Sequence, residues 1–182
     1  MYAVVLHFDQ KTEQALKRIW VEIRDRGISG YVDEVPNRRP HLTLADYSNL
    51  DEAEFMEMFD RFYDARAGFS LSFGMLGTFI GSGTLFLAPN PDAELLEFHA
   101  EHHQYFSRYA DEANSLYAPN AWVPHCTIAS RLDERKLPEA LLYCTGSIQT
   151  FIAEIRDVSL IKLKYLNNRC TDCAAMLTKL LI

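Results

Sequence analysis

The 182-residue chain lacks most of the features by which composition alone would assign a function. It has no excess of positive charge: 18 basic side chains stand against 25 acidic ones, a net charge of −7. A protein that coats long nucleic acid by electrostatics alone needs the opposite balance, so the charge argues against that class. A small phosphorylated ligand, or one RNA end held in a locally basic cleft, is not. No apolar run approaches the ~20 residues that cross a bilayer. The opening MYAVVLHFDQ has neither a basic leader region nor a cleavage pattern. No membrane association and a cytoplasmic location are expected.

Cysteine is scarce, with four residues in no framework spacing, so a disulfide-stapled secreted fold is not indicated. Cys170 and Cys173 form a lone CxxC, with no second pair or nearby histidine to complete a zinc site. Following Asn167-Asn168-Arg169, it reads as the base of a hairpin. Gly81-Ser82-Gly83 lacks the lysine and helix of a phosphate-binding loop and reads as a turn. There is no HExxH pattern, although His99, His102 and His103 fall within two helical turns near an apolar stripe; packed, hydrogen-bonded histidines are the commoner explanation of such a group. No metal and no cofactor are expected. Low-complexity stretches and linkers are also missing, so residues 1–182 are expected to form one domain.

What the chain does have is a six-residue phrase used twice. Pro40-His41-Leu42-Thr43-Leu44-Ala45 and Pro124-His125-Cys126-Thr127-Ile128-Ala129 share one pattern. A β-strand points residues i and i+2 to the same face. Each copy therefore presents a His and a Thr on one side and apolar residues on the other.

The surroundings repeat as well. An alternating run over 2–8 predicts a strand, and Ala15, Leu16, Ile19, Trp20 and Ile23 predict a helix over 10–27, with Gly27 able to end it. After a loop and the first motif strand, Asp51 reads as the N-cap of a helix to about Arg66, followed by strands at Phe69–Phe73 and Thr84–Ala88. The second half offers a helix from Asp92 to about Asn114, the second motif strand, and a short helix beginning at Asp133, which Pro138 either makes irregular or joins in its first turn. Strands near 148–165 and 171–182, joined at Asn167-Asn168, close the chain. Helix, motif strand, helix, strand thus occurs twice, in halves of approximately 1–90 and 91–182. The intermixed elements predict an α+β fold with mostly antiparallel sheets flanked by helices.

Two His-x-Thr strands facing one cleft would suit chemistry at a phosphodiester. Imidazole titrates near neutrality, so one ring can take a proton from an attacking water while the other gives one to the leaving oxygen. The threonine hydroxyls can donate to the non-bridging oxygens. A single His-x-Thr is weak evidence; two copies in equivalent positions are much stronger. His41, Thr43, His125 and Thr127 are accordingly the candidate catalytic residues, with His125 taken as base and His41 as acid. Candidate substrate-binding residues are Arg39 before the first motif and Arg131 after the second. Phe79 in the Gly-rich turn and Trp122 before the second motif can stack on a base or pack in the core. His7, alternating with apolar residues in the opening strand, reads as structural.

On these motifs the chain resembles the 2H phosphoesterase superfamily, in particular its 2′-5′ RNA ligase-like members, which are marked by two His-x-[Ser/Thr]-x motifs. The resemblance spans most of the chain, including FGMLGTFIGSGTLFLAP over 73–89. It implies a bilobal fold of two pseudo-symmetric lobes around a central cleft. It also implies metal-independent phosphodiesterase or cyclic phosphodiesterase activity on 2′,3′-cyclic phosphates or 2′-5′ linkages, with a nucleotide or RNA end as partner and 2′-5′ RNA ligation as a further capacity. Some members carry an Arg just after the motif's aliphatic-Ala pair; this chain has Asp46 and Ser130 there, with Arg131 one place on. Alternatives are a non-catalytic nucleotide- or RNA-end-binding module, a hydrolase of another phosphorylated small molecule, and a metal-dependent hydrolase using the helix histidines.

Overall fold

The computed structural model describes residues 1–110, 115–167 and 169–182. The first half runs strand β1 (Tyr2–Phe8), helix α1 (Gln10–Asp25), strand β2 (His41–Tyr47), helix α2 (Glu52–Phe62) and strand β3 (Phe69–Thr78). The second runs β4 (Leu85–Pro89), α3 (Ala93–Tyr105), β5 (Cys126–Ala129), α4 (Lys136–Ser147) and β6 (Phe151–Leu166), with β7 (Arg169–Leu180) appended. Strand, helix, motif strand, helix, strand thus occurs twice in element order, with each motif strand between two helices and the second run beginning at Leu85.

The helices begin where short polar side chains can satisfy their first free amides. Asp9 accepts from the Thr12 amide at 3.0 Å, Asp51 from Glu54 at 3.0 Å and Asp92 from Leu95 at 3.0 Å. Asp133 accepts from the amides of Arg135 and Lys136 ahead of α4, and Pro138 falls in that helix's first turn. Gly27, at φ +66°, turns the chain out of α1 in the left-handed conformation glycine tolerates.

Helix α3 ends at Tyr105, short of the expected Asn114. Tertiary packing overrides helical periodicity here. A single 3₁₀ turn over Ser107–Tyr109 lets Phe106 stack on Phe55 at 4.7 Å and Tyr109 meet the same ring at 5.2 Å. Asn114 itself, and Asn168 of the expected hairpin, lie outside the described residues.

Every strand pair is antiparallel, in one seven-stranded sheet of order β2-β1-β6-β3-β4-β5, with β7 also on β6. The long β6 joins the halves: its first residues pair with β3 and the remainder with β1 and β7. The α+β, antiparallel expectation is met. Alternation then divides the sheet's faces. Val4, Leu6, Phe8, Leu42, Leu44, Cys126 and Ile128 enter the core under the helices. Ala3, Val5 and Ile161 turn to the other face. The helices cross between halves: α1 packs on β5 and α4, and α3 packs on β2. The terminal strands of the sheet order, β2 and β5, are thereby brought into contact. None of the described helices is long and apolar enough to cross a membrane.

Candidate active site

Strand alternation sends Leu42, Leu44, Cys126 and Ile128 inward, which leaves His41, Thr43, His125 and Thr127 on the opposite face. All four line one cavity of about 380 Å³ where β2 approaches β5. Ala3, Val5, Ile161 and Leu163 form its apolar floor, and Tyr31, Arg38, Asp46 and Tyr117 also border it. A larger groove of about 560 Å³ lies between α1 and the start of β6, but its lining holds no histidine.

The two imidazoles are held identically. His41 Nδ1 lies 2.7 Å from the Arg39 carbonyl, and His125 Nδ1 lies 2.7 Å from the Val123 carbonyl. A carbonyl can only accept, so each Nδ1 carries a hydrogen and donates it. In the neutral ring, each Nε2 then keeps its lone pair. Burial pulls His41 down from 6.5 to about 4, with the neighbouring His7, Arg38 and His125 adding to the shift. Burial also lowers His125. Near pH 7 both free rings are therefore proton acceptors, and His41 is the one whose protonation is more strongly opposed.

The other candidates divide. Phe79 meets the His125 ring edge-on at 4.9 Å and stands with Phe86 as an aromatic wall beside it. Trp122 is turned away from the cavity lining. Its ring stacks on His99 at 3.8 Å, and its indole N–H donates to the Thr43 carbonyl at 2.9 Å. Arg39 contributes its carbonyl to His41, but its guanidinium points outward to Glu13 at 2.7 Å and Asp157 at 2.8 Å. Asp157 also accepts from His7 Nδ1 at 2.7 Å, and His7 stands opposite His41 in the β1–β2 register. Arg131, at φ +55°, borders a separate depression and pairs with Glu34.

The arginine that reaches the cavity is Arg38, lying 4.1 Å above the Tyr31 ring and donating to the Tyr31 carbonyl at 3.1 Å. Nothing in the sequence distinguishes Arg38 from Arg39. Their contacts do: both precede β2, outside the strand's alternation, and Arg38 folds onto Tyr31 and Glu34 while Arg39 pairs with Glu13 and Asp157. Sequence reasoning misses Tyr31 and Tyr117 because they lie in loops without periodicity, ten and eight positions before their motif histidines. Cys170 and Cys173, expected at a hairpin base, lie on β7 and border the cavity, half-buried.

The helix histidines have protein partners. His99 Nε2 donates to the Tyr117 carbonyl at 2.8 Å and His103 Nε2 to the Leu44 carbonyl at 3.0 Å. The buried His102 ring lies between the hydroxyls of Tyr47, at 2.8 Å, and Tyr63, at 2.7 Å. Among the described residues, no group of three or more His, Cys, Asp or Glu is placed to hold a metal ion.

Residues 11–164 match the family model of the 2′-5′ RNA ligase superfamily. The chain belongs to that superfamily. Its fold is similar to that of Escherichia coli LigT, solved in complex with 3′-AMP, at a TM-score of 0.63 and 13% identity, with 99% of this chain and 96% of that one covered. It is also similar to TT0787 of Thermus thermophilus, at a TM-score of 0.67 and 14% identity, covering 99% and 97%. A crystal structure described as a phosphoesterase aligns at 0.64 and 14% identity, covering 99% and 97%. LigT has further been solved with NADP+ and with ATP. No protein of curated function matches the chain.

Proposed function

We propose that this member of the 2′-5′ RNA ligase superfamily is a metal-independent phosphodiesterase that opens a nucleoside 2′,3′-cyclic phosphate or cleaves a 2′-5′ linkage at a nucleotide or RNA end. The observation that carries the reading is the matched pair of imidazoles. Both Nδ1 atoms are committed to a carbonyl two residues back, and both rings line one cavity with two threonines.

In the reaction, His41 Nε2 takes a proton from water as the water oxygen bonds to phosphorus. The bond from phosphorus to the ribose oxygen breaks, and that oxygen takes the proton carried by His125 Nε2. Thr43 and Thr127 donate to the non-bridging oxygens, and Arg38 supplies the positive charge the phosphate needs. This order reverses the one expected from the sequence, because His41 is the ring more strongly held neutral. Among the described residues Asp46 is the single carboxylate in the lining, a poor donor set for Mg²⁺ or Mn²⁺. Phe79 is taken to face a nucleobase, a reading supported by its edge-on contact with His125. The nucleotide complexes of LigT support a nucleotide as ligand. A cytoplasmic setting completes the proposal.

The test is hydrolysis of a panel of nucleoside 2′,3′-cyclic phosphates and 2′-5′ dinucleotides in EDTA. His41→Ala and His125→Ala should each lose about 10²–10⁴-fold in turnover with circular dichroism unchanged. Wild-type activity in either variant would overturn the mechanism. Tight nucleotide binding without turnover in the wild type would favour the binding module instead.

A further inference from the structure

His41 and His125 donate to carbonyls of one kind. Each acceptor belongs to the residue before a proline, Arg39 before Pro40 and Val123 before Pro124. Proline restricts the residue before it to extended backbone, which aims both carbonyls alike. Beyond that the two settings part. Val123 has an apolar side chain, with no charge by which it can be held. Arg39 carries its guanidinium away from the cavity into a clamp. Its Nε and Nη2 donate to one Glu13 oxygen on α1 at 2.9 and 2.7 Å. Its Nη1 and Nη2 donate to the two Asp157 oxygens on β6 at 3.2 and 2.8 Å. Both carboxylates are mostly buried, so these charge-assisted bonds are little screened.

Asp157 has a second hold on the site. His41, His7 and Asp157 stand opposite one another across β2, β1 and β6. All three lie on the cavity face of the sheet, since Leu6 and Leu42 beside them turn into the core. The buried His7 donates its Nδ1 hydrogen to Asp157 at 2.7 Å, and its ring meets that of His41 edge-on at 6.3 Å. One carboxylate therefore anchors both the residue that accepts from His41 and the ring that stands beside it.

We propose that Arg39 and Asp157 are positioning residues that lock His41, and not His125, as the tautomer with hydrogen on Nδ1 and the Nε2 lone pair aimed into the cavity. The clamp fixes the Arg39 carbonyl, and His7, held by the same carboxylate, limits rotation of the His41 ring. The inference rests on the phosphodiesterase reading only for what His41 does with its lone pair; the lock itself needs no substrate. Arg39, a candidate for substrate contact from its place in the sequence, thus acts from behind the base.

Arg39→Met keeps the backbone carbonyl and removes the clamp, but leaves Glu13 and Asp157 facing each other. Arg39→Met combined with Glu13→Gln removes the clamp with the charge balance kept. In both, kcat on a nucleoside 2′,3′-cyclic phosphate should fall about tenfold with KM nearly unchanged. A substrate-binding role for the guanidinium predicts the reverse, a raised KM with kcat intact. Imidazole nitrogen-15 spectra at pH 7 read the tautomers without turnover. The wild type should show hydrogen on Nδ1 at both motif histidines. The variants should show mixed tautomers at His41 and no change at His125. Asp157→Asn, which releases Arg39 and His7 together, should move His41 at least as far. If the wild type hydrolyses nothing but the tautomer change is confined to His41, the positioning inference stands and the choice of reaction falls. An unchanged His41 tautomer, an equal change at both histidines, or a raised KM with kcat intact would overturn the inference.

Discussion

His41 and His125 share a backbone setting but not an environment. Behind His41 stand His7 and, through it, Asp157 and Arg39; beside His125 stand the rings of Phe79 and Phe86. The groups facing His41 are mostly cationic or able to become so, and burial adds to their effect, which brings it to about 4. On the proposed mechanism, its pairing with a less strongly lowered His125 sets the pH profile. His41 must be unprotonated to accept, so kcat/KM should rise with pH through about 4. His125 must be protonated to donate, and its value lies below the ordinary 6.5, so kcat/KM should already be falling at neutral pH. The optimum for the free enzyme is thus expected on the acid side of 6.5. The phosphate's negative charge favours both imidazolium forms, so the kcat profile should lie at higher pH than that of kcat/KM. Parallel profiles of the two constants, measured on one cyclic phosphate, decide the matter. A kcat/KM optimum above pH 7.5 would contradict the assignment.

The elements deliver these side chains, and the most constrained junction is the turn between β3 and β4, where it meets the segment after β5. Gly83 holds φ +62°, and its carbonyl accepts from the Leu132 amide at 2.8 Å. A Cβ there would collide with the Leu132 carbonyl oxygen, against backbone that cannot swing aside. Gly83→Ala therefore combines a left-handed penalty of about 1 kcal/mol with a steric displacement. It should lower stability by more than about 1 kcal/mol in denaturant unfolding. It should also disturb the Phe79–His125 wall, read as a raised KM; an unperturbed variant would show that the turn can relax.

Much at this scale is legible in the sequence. Period-two alternation in PHLTLA and PHCTIA separates cavity residues from core residues, because a sheet with one buried face leaves no choice of register. Asp51 and Asp92 mark helix starts because capping is a local interaction. The end of α3 is not legible, because it is decided by Phe55, far away in sequence. The orientations of Trp122, Arg39 and Tyr31 escape the sequence for a related reason. Which way a loop residue faces depends on the strand or helix it meets from the other half.

For the whole molecule, reciprocal packing means that the cavity exists only while both halves are folded together. Four histidines make that state sensitive to acid. His41 and His99 are each lowered to about 4, the buried His102 is held well below 6.5, and His125 is lowered as well, all chiefly by burial. In each case the unfolded chain takes up a proton near 6.5 while the native state does not. Stability is therefore fully present above 6.5 and lost as pH falls below it, at up to about 1.4 kcal/mol per pH unit for each such histidine. Asp9 and Asp157, whose folded values lie below the ordinary 3.8, add their own loss only at lower pH. The window from 6.5 to 5 thus belongs to the histidines. Urea unfolding at pH 7 and pH 5 should differ on the order of 5 kcal/mol, with net uptake of roughly three protons on unfolding at pH 5. The loss should also outrun the catalytic profile: kcat/KM is expected to peak in the same acid range in which the fold weakens. Short assays at pH 5.5 should therefore show high activity that decays with incubation, faster as temperature rises. Stability that stays flat from pH 7 to 5, with no proton uptake, would mean that these imidazoles are not held neutral by the fold, and the His41-as-base assignment would fall with it.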